Sequence, residues 1–226
     1  MKLYYYLAAF LLSLLSILPA TGQEKKQLTL EEIFDDQVFS QYRINGIRWM
    51  ADGQYYTSVV PDEIEYYEHI LRYDITTGEV VDTLVNGANL VPEGEPLALR
   101  YNDYQLSKDE QQVLLATEME PIYRRSTRAY YYIYDIAEDS FRPLDDGQKQ
   151  SYATFSPDGS KVAFVRDNNL FYKDLVNDEL YQVTRDGEFN KIIHGSTDWV
   201  YEEEFGFAKA FYWSPDSKKL AYLSFD

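Results

Sequence analysis

The sequence predicts an all-β protein, an incomplete β-propeller of about three to four blades led by a short N-terminal helix. Three observations carry that prediction. A turn-and-strand unit occurs four times along the 226 residues, and the segments between the turns read as short strands ending in a Tyr-x-Asp-like pattern. Aromatic residues form 16% of the chain, with 22 tyrosines, a composition that suits sheets with one packed and one wet face.

In chain order, the first element is a leader. Lys2 gives a positive start, Leu3 to Leu18 is apolar apart from three tyrosines and two serines, and Ala20-Thr21-Gly22 supplies the small residues that a signal peptidase reads. The apolar run is shorter than the roughly 20 residues needed to span a bilayer. A signal peptide over residues 1–22 is therefore expected, with no membrane anchor after cleavage and a periplasmic or extracellular destination. The domain then covers residues 23–226. Leu28-Thr29-Leu30-Glu31-Glu32-Ile33-Phe34 reads as a short helix, with Thr29 as N-cap and Glu32 as its capping-box partner.

The repeat follows. Trp49-Met50-Ala51-Asp52-Gly53, Leu106-Ser107-Lys108-Asp109-Glu110, Phe155-Ser156-Pro157-Asp158-Gly159 and Trp213-Ser214-Pro215-Asp216-Ser217 start at intervals of 57, 49 and 58 residues, the range of a propeller blade with long loops. In each, an aromatic residue or leucine ends one strand, and a tight turn follows. Proline presets φ, and Asp and Gly accept turn geometry that β-branched residues refuse. An apolar strand comes next, such as Val162-Ala163-Phe164-Val165, buried in the middle of a blade. The strand after it ends at Tyr73-Asp74, Tyr134-Asp135 or Tyr172-Lys173-Asp174, and a polar turn leads to an outer strand. A ring takes typically 4–8 blades to close. The last unit stops at Ser224-Phe225-Asp226, so an incomplete ring is expected.

Composition narrows the function. A net charge of −17 excludes nucleic acid as partner, because phosphate binding needs clustered Lys and Arg. The chain has no cysteine, so disulfides, thiolate metal sites and a cysteine-linked lipid are all excluded. The sequence carries no H-E-x-x-H spacing, and no metal or cofactor is expected.

The chemistry concentrates in Asp198-Trp199-Val200-Tyr201-Glu202-Glu203-Glu204-Phe205. Three consecutive glutamates between aromatics suit neither a buried strand nor a flexible linker, but fit a short helix or turn inserted between blade strands. Adjacent carboxylates repel unless a cation compensates. Two of them at a cavity mouth can share one ammonium group, each contact worth up to about 4 kcal/mol at 4 Å and an effective dielectric of 20 before desolvation. Taken alone, such a run is more often an ordinary solvated acidic face.

The segment Asp198 to Glu204, with Trp213-Ser214-Pro215 after it, resembles the dipeptidyl peptidase IV family, a branch of the prolyl-oligopeptidase-like serine peptidases. The resemblance extends back to Leu30-Glu31-Glu32-Ile33-Phe34. It implies a larger, eight-bladed ring in a secreted, bacterial-type member, and it allows a homodimer of the full-length protein. It also implies that Glu203 and Glu204 bind the free N-terminal amine of peptide substrates, while Glu202 has no assigned contact. In Tyr123-Arg124-Arg125-Ser126, ahead of Tyr132-Ile133-Tyr134-Asp135-Ile136, the resemblance puts on Arg124 the role of orienting those glutamates and contacting the substrate backbone. A guanidinium fork matches a carboxylate.

The family's Ser-Asp-His triad belongs to a C-terminal α/β-hydrolase domain with a G-x-S-x-G elbow. No such elbow occurs in this sequence, and neither His69 nor His194 lies near a nucleophile turn. The chain is thus expected to be inactive alone. The function implied is that of the propeller portion of a dipeptidyl peptidase that removes dipeptides with Pro or Ala second. The alternative is a non-enzymatic propeller that binds peptides or proteins.

Overall fold

A computed structural model describes residues 27–35, 38–39, 45–62 and 64–226. The expected signal peptide, residues 1–22, lies outside the described residues. The described residues fall in two units, those up to 39 and those from 45 on. In the first, helix α1 (Leu30–Phe34) begins with the capping box read from the sequence: Glu32 N–H donates to Thr29 Oγ1 at 3.2 Å, and Thr29 N–H to Glu32 Oε2 at 3.4 Å. No helix among the described residues is long and apolar enough to cross a membrane.

The second unit is β structure, with three four-stranded antiparallel sheets whose strands follow chain order. Blade 1 holds β1 (Asn45–Trp49), β2 (Tyr55–Pro61), β3 (Glu68–Asp74) and β4 (Val80–Val85). Blade 2 holds β5 (Tyr101–Leu106), β6 (Gln112–Pro121), β7 (Thr127–Asp135) and β8 (Ser140–Pro143). Blade 3 holds β9 (Ser151–Phe155), β10 (Lys161–Arg166), β11 (Asn169–Asp174) and β12 (Glu179–Gln182). A fourth group has β13 (Ile193–His194), helix α2 (Trp199–Phe205), β14 (Phe211–Trp213), β15 (Leu220–Tyr222) and β16 (Ser224–Phe225). There β14 pairs with β15, and β13 pairs with β16. This is the partial propeller that the repeat predicts.

The repeated residues act alike in each unit. Ser107, Ser156 and Ser214 each donate a hydroxyl to the Asp two positions on, at 2.6 Å. Each hydroxyl oxygen also accepts the N–H five residues on, at 2.9–3.0 Å, which opens the second strand. The fourth turn residue has positive φ in all four copies, as Gly53, Glu110, Gly159 and Ser217. In the first copy Met50 replaces the serine, so its two side-chain bonds are lost, while Gly53 N–H still donates to Met50 O at 3.1 Å and Gln54 N–H to Asp52 Oδ1 at 2.9 Å. The strand-ending aspartates have one job as well. Asp74, Asp135 and Asp174 each accept two backbone N–H groups from the turn that follows, at 2.8–3.1 Å.

Period-2 alternation lets each middle strand serve two interfaces. On β6, Val113 and Leu115 pack with Ile70, Leu84 and Tyr104 between blades 1 and 2. Leu114, between them in sequence, packs with Phe155, Val162 and Phe164 of blade 3. On β10 the same division sends Val162 and Phe164 toward blade 2 and Ala163 and Val165 toward Phe211 of β14. Neighbouring turns are linked too. Glu110 accepts Ala51 N–H at 2.5 Å, and Ser217 Oγ accepts Asp158 N–H at 3.0 Å. Burial works against charging Asp158, but hydrogen bonds from Ser156, Ser160 and Ser217 outweigh it and hold its carboxyl well below the usual range.

Candidate substrate-amine site

Helix α2 occupies the long connection between β13 and β14, where the glutamate run predicts a short helix or turn. Asp198 caps it, accepting Tyr201 N–H at 2.9 Å, and Gly206 ends it in the left-handed conformation at φ 74°. Its apolar side chains remain largely uncovered: Trp199, Val200 and Phe205 are all exposed.

The three glutamates point to different surroundings, because successive helical residues are turned by roughly 100°. Glu202 is directed inward and is 1% exposed. Its Oε1 accepts the backbone N–H of Ser126 at 2.9 Å and that of Arg125. Burial raises the pKa of this carboxyl, but the Ser126 hydroxyl, those two N–H groups and the Arg125 charge together hold it below its ordinary value. Tyr152 lies beside the same group. Its phenol is pushed up first by burial and then by the Glu202 charge.

Glu203 is half-buried, and its Oε1 lies 3.4 Å from Arg124 Nε. Glu204 is exposed and makes no ion pair among the described residues. Of the three residues that the resemblance implicates, the structure therefore brings Arg124 and Glu203 together and leaves Glu204 outside the pair. Both partners of Glu202 and Glu203 come from one loop, residues 122–126, which connects β6 to β7. Ile122 N–H to Ser126 O at 2.8 Å and Tyr123 N–H to Ser126 Oγ at 3.1 Å close that loop.

Sequence reasoning gave Glu202 no contact with the amine and left it structural, and the structure makes it the anchor of the segment. One signal pointed there. Three consecutive carboxylates on a helix spread over roughly 200°, so they cannot all address one ligand.

A cavity of about 1660 Å³ opens beside this site, walled by Tyr123, Ser126, Tyr152 and the first turn of α2 from Trp199 to Tyr201. Glu203, Glu204 and Arg124 are not among its walls. His194 is buried, between Ser224 Oγ at 2.7 Å and Asp186 Oδ1 at 2.9 Å. The order imitates a serine hydrolase, but Ser224 sits in the β13–β16 strand pair rather than on a strand-to-helix elbow. His194 thus ties β13, β16 and the Asp186 loop together. Among the described residues no group of three or more His, Asp or Glu could hold a metal ion.

With this geometry established, comparison with known proteins gives a consistent result. The family model described as dipeptidyl peptidase IV (DPP IV) N-terminal region matches residues 107–226. The chain is 35% identical over 207 residues to prolyl endopeptidase FAP of Mus musculus, covering 91% of this chain and 25% of that protein. It is 30% identical over 217 residues to probable dipeptidyl-aminopeptidase B of Pyrenophora teres f. teres (strain 0-1), covering 92% and 24%. The crystal structure of Porphyromonas gingivalis dipeptidyl peptidase 4 is similar with a TM-score of 0.75 at 40% identity, covering 88% of this chain and 28% of that one. The chain spans about a quarter of the length of the relatives it matches.

Proposed function

Because this chain belongs to the family of the dipeptidyl peptidase IV N-terminal region, we propose that it is the propeller portion of an exported serine exopeptidase. The enzyme releases N-terminal dipeptides, with Pro or Ala second, and helix α2 receives the free amine of the substrate. A hydrolase portion of the full-length protein supplies the nucleophile, since this sequence has no G-x-S-x-G elbow. The leader read at residues 1–22 supports export, and N-terminal sequencing of the exported protein should begin at Gln23.

The observation that carries the reading is the division of labour along α2. Glu202 is buried and bonded to the 122–126 loop, Arg124 of that loop meets Glu203, and Glu204 is exposed. A substrate ammonium can donate three hydrogen bonds, and two carboxylates supply charge-matched acceptors for it. Arg124 is largely in water, so its pair with Glu203 adds little stability, under about 1 kcal/mol. Its value is in orientation. It offsets the repulsion between adjacent carboxylates and leaves the second Glu203 oxygen for a ligand. Fixing the amine fixes the distance to the scissile bond, which is how an exopeptidase counts two residues.

The test compares kcat/KM of the full-length enzyme on an Ala-Pro chromogenic substrate with free or N-acetylated amine. Glu203→Gln and Glu204→Gln should each lower the free-amine value by orders of magnitude and leave the weak acetylated reaction nearly unchanged. Near wild-type efficiency of both variants on the free amine would refute the amine site. Absence of any hydrolysis by the wild-type enzyme would favour a non-enzymatic peptide-binding propeller.

A further inference from the structure

Strands of three successive units wall a second, smaller cleft. Gln105 of β5, Thr154 of β9 and Tyr212 of β14 line it with Lys108, Lys209 and Trp213, and its volume is about 410 Å³. That is within the range of small-ligand sites. No residue of α2 contributes to it.

Its charge is opposite to that of the molecule. The chain has 38 acidic residues and a net charge of −17, yet the walls of this cleft hold two lysines and no carboxylate. The aspartates of the adjoining turns, Asp109, Asp158 and Asp216, are each held by a serine hydroxyl of their own turn at 2.6 Å.

Lys209 is half-buried and forms no ion pair among the described residues. Its Nζ donates to Thr154 Oγ1 at 2.8 Å, and it lies 4.7 Å and 5.7 Å from the ring centroids of Phe211 and Tyr212. Those contacts use one of its three N–H donors. Lys149, also withdrawn from water, shows the usual solution, with Glu120 at 2.7 Å. Burial without a counter-charge pulls the Lys209 pKa down. The neighbouring Trp213 also meets Thr154. Trp213 spends its indole N–H on Thr154 O at 3.2 Å, leaving the ring to meet a ligand through apolar surface.

We infer that this cleft binds a carboxylate borne next to an apolar or aromatic group, with Lys209 as the charged contact and Trp213 and Tyr212 as the apolar walls. A charge-assisted hydrogen bond from Lys209 Nζ to the carboxylate uses one of the two donors that the protein leaves open. Lys108, exposed at the rim, adds a second attractive charge. The class includes the C-terminal end of a short peptide and small aromatic acids.

The probes are N-acetyl-phenylalanine and its carboxamide, titrated calorimetrically into the full-length protein. They differ only in the carboxylate, and the acetyl cap removes the amine on which the Glu203–Glu204 reading depends, so either reading can fail without the other. The acid should bind at least about tenfold more tightly than the amide, and Lys209→Met should bring it to the amide's level. Equal binding of acid and amide, no binding of either, or unchanged binding by a folded Lys209→Met protein overturns the inference. Should that variant fail to fold, ¹³C-methylated lysines of the wild-type protein give the second readout. The resonance that titrates below the other lysines should move to higher pH when the acid is added and stay in place with the amide. No movement with the acid also overturns the inference.

Discussion

Glu202 Oε1 accepts the backbone N–H of Ser126 at 2.9 Å across 76 residues of sequence. This buried contact joins an insert between blade strands to a hairpin loop two sheets earlier, and it sets where Glu203 and Arg124 meet. Replacing Glu202 with Ala orphans the buried Ser126 donor, at a cost of about 1–3 kcal/mol. Glu202→Gln keeps an acceptor oxygen but loses its charge, and should cost about 1 kcal/mol. Denaturant unfolding of the two variants should rank Ala below Gln below wild type. Both should also lose kcat/KM on free-amine substrates more than on acetylated ones, because the anchor acts through Glu203.

The same carboxyl predicts an acid response. Its folded-state pKa is lowered, so its contribution is fully present above the ordinary value of 4.5 and is lost as pH falls through the lower folded value. The stability gap between wild type and Glu202→Gln should therefore shrink from roughly pH 5 toward pH 3. A gap that widens on acidification would contradict the assigned hydrogen bonds.

Arg124→Ala removes a largely exposed side chain, so the melting temperature should scarcely change. Catalytic efficiency on free-amine substrates should fall by an amount between those of Glu202→Gln and Glu203→Gln. Arg124→Lys should restore only part of it, because an ammonium lacks the planar fork. Steady-state kinetics of these four variants of the full-length protein side by side checks the order.

Leu114 and Leu115 are sequence neighbours that face different blades. Each truncated to Ala should cost about 2–5 kcal/mol. Double-mutant cycles should couple Leu114 with Phe164 by about 0.5–3 kcal/mol and Leu115 with Ile70 likewise, while the crossed pairs stay within about 0.5 kcal/mol of additivity. Strong crossed coupling would contradict the division of the strand between two interfaces.

What the sequence made legible was local. Ser156-Pro157-Asp158-Gly159 contains its own turn chemistry, and Asp74, Asp135 and Asp174 mark strand ends because each satisfies N–H groups only two and three residues on. A short helix or turn at 199–205 was readable from three glutamates that suit neither a buried strand nor a linker, and the Asp198 cap and Gly206 stop that make it a helix are equally local. Less was visible where partners are distant. The pairing of His194 with Ser224 leaves no periodic trace in either segment. Nor could spacing reveal that Lys209 lies beside Thr154, 55 residues earlier, or which of the three glutamates turns inward. Those positions are set by the packing of blades against each other, which depends on the whole sheet.

The turn-to-turn bonds from Ala51 to Glu110 and from Asp158 to Ser217 have a direction: in each, a later blade completes an earlier one. During synthesis, which proceeds from the N-terminus, each of these turns emerges with an N–H whose partner in the fold belongs to the following repeat. Such a blade is a provisional structure until its successor leaves the ribosome. Its interval of vulnerability is the time taken to translate one more repeat. Rare codons placed just after Gly53 or Gly159 should prolong that interval, whereas the same codons placed after Glu110 or Ser217 should not.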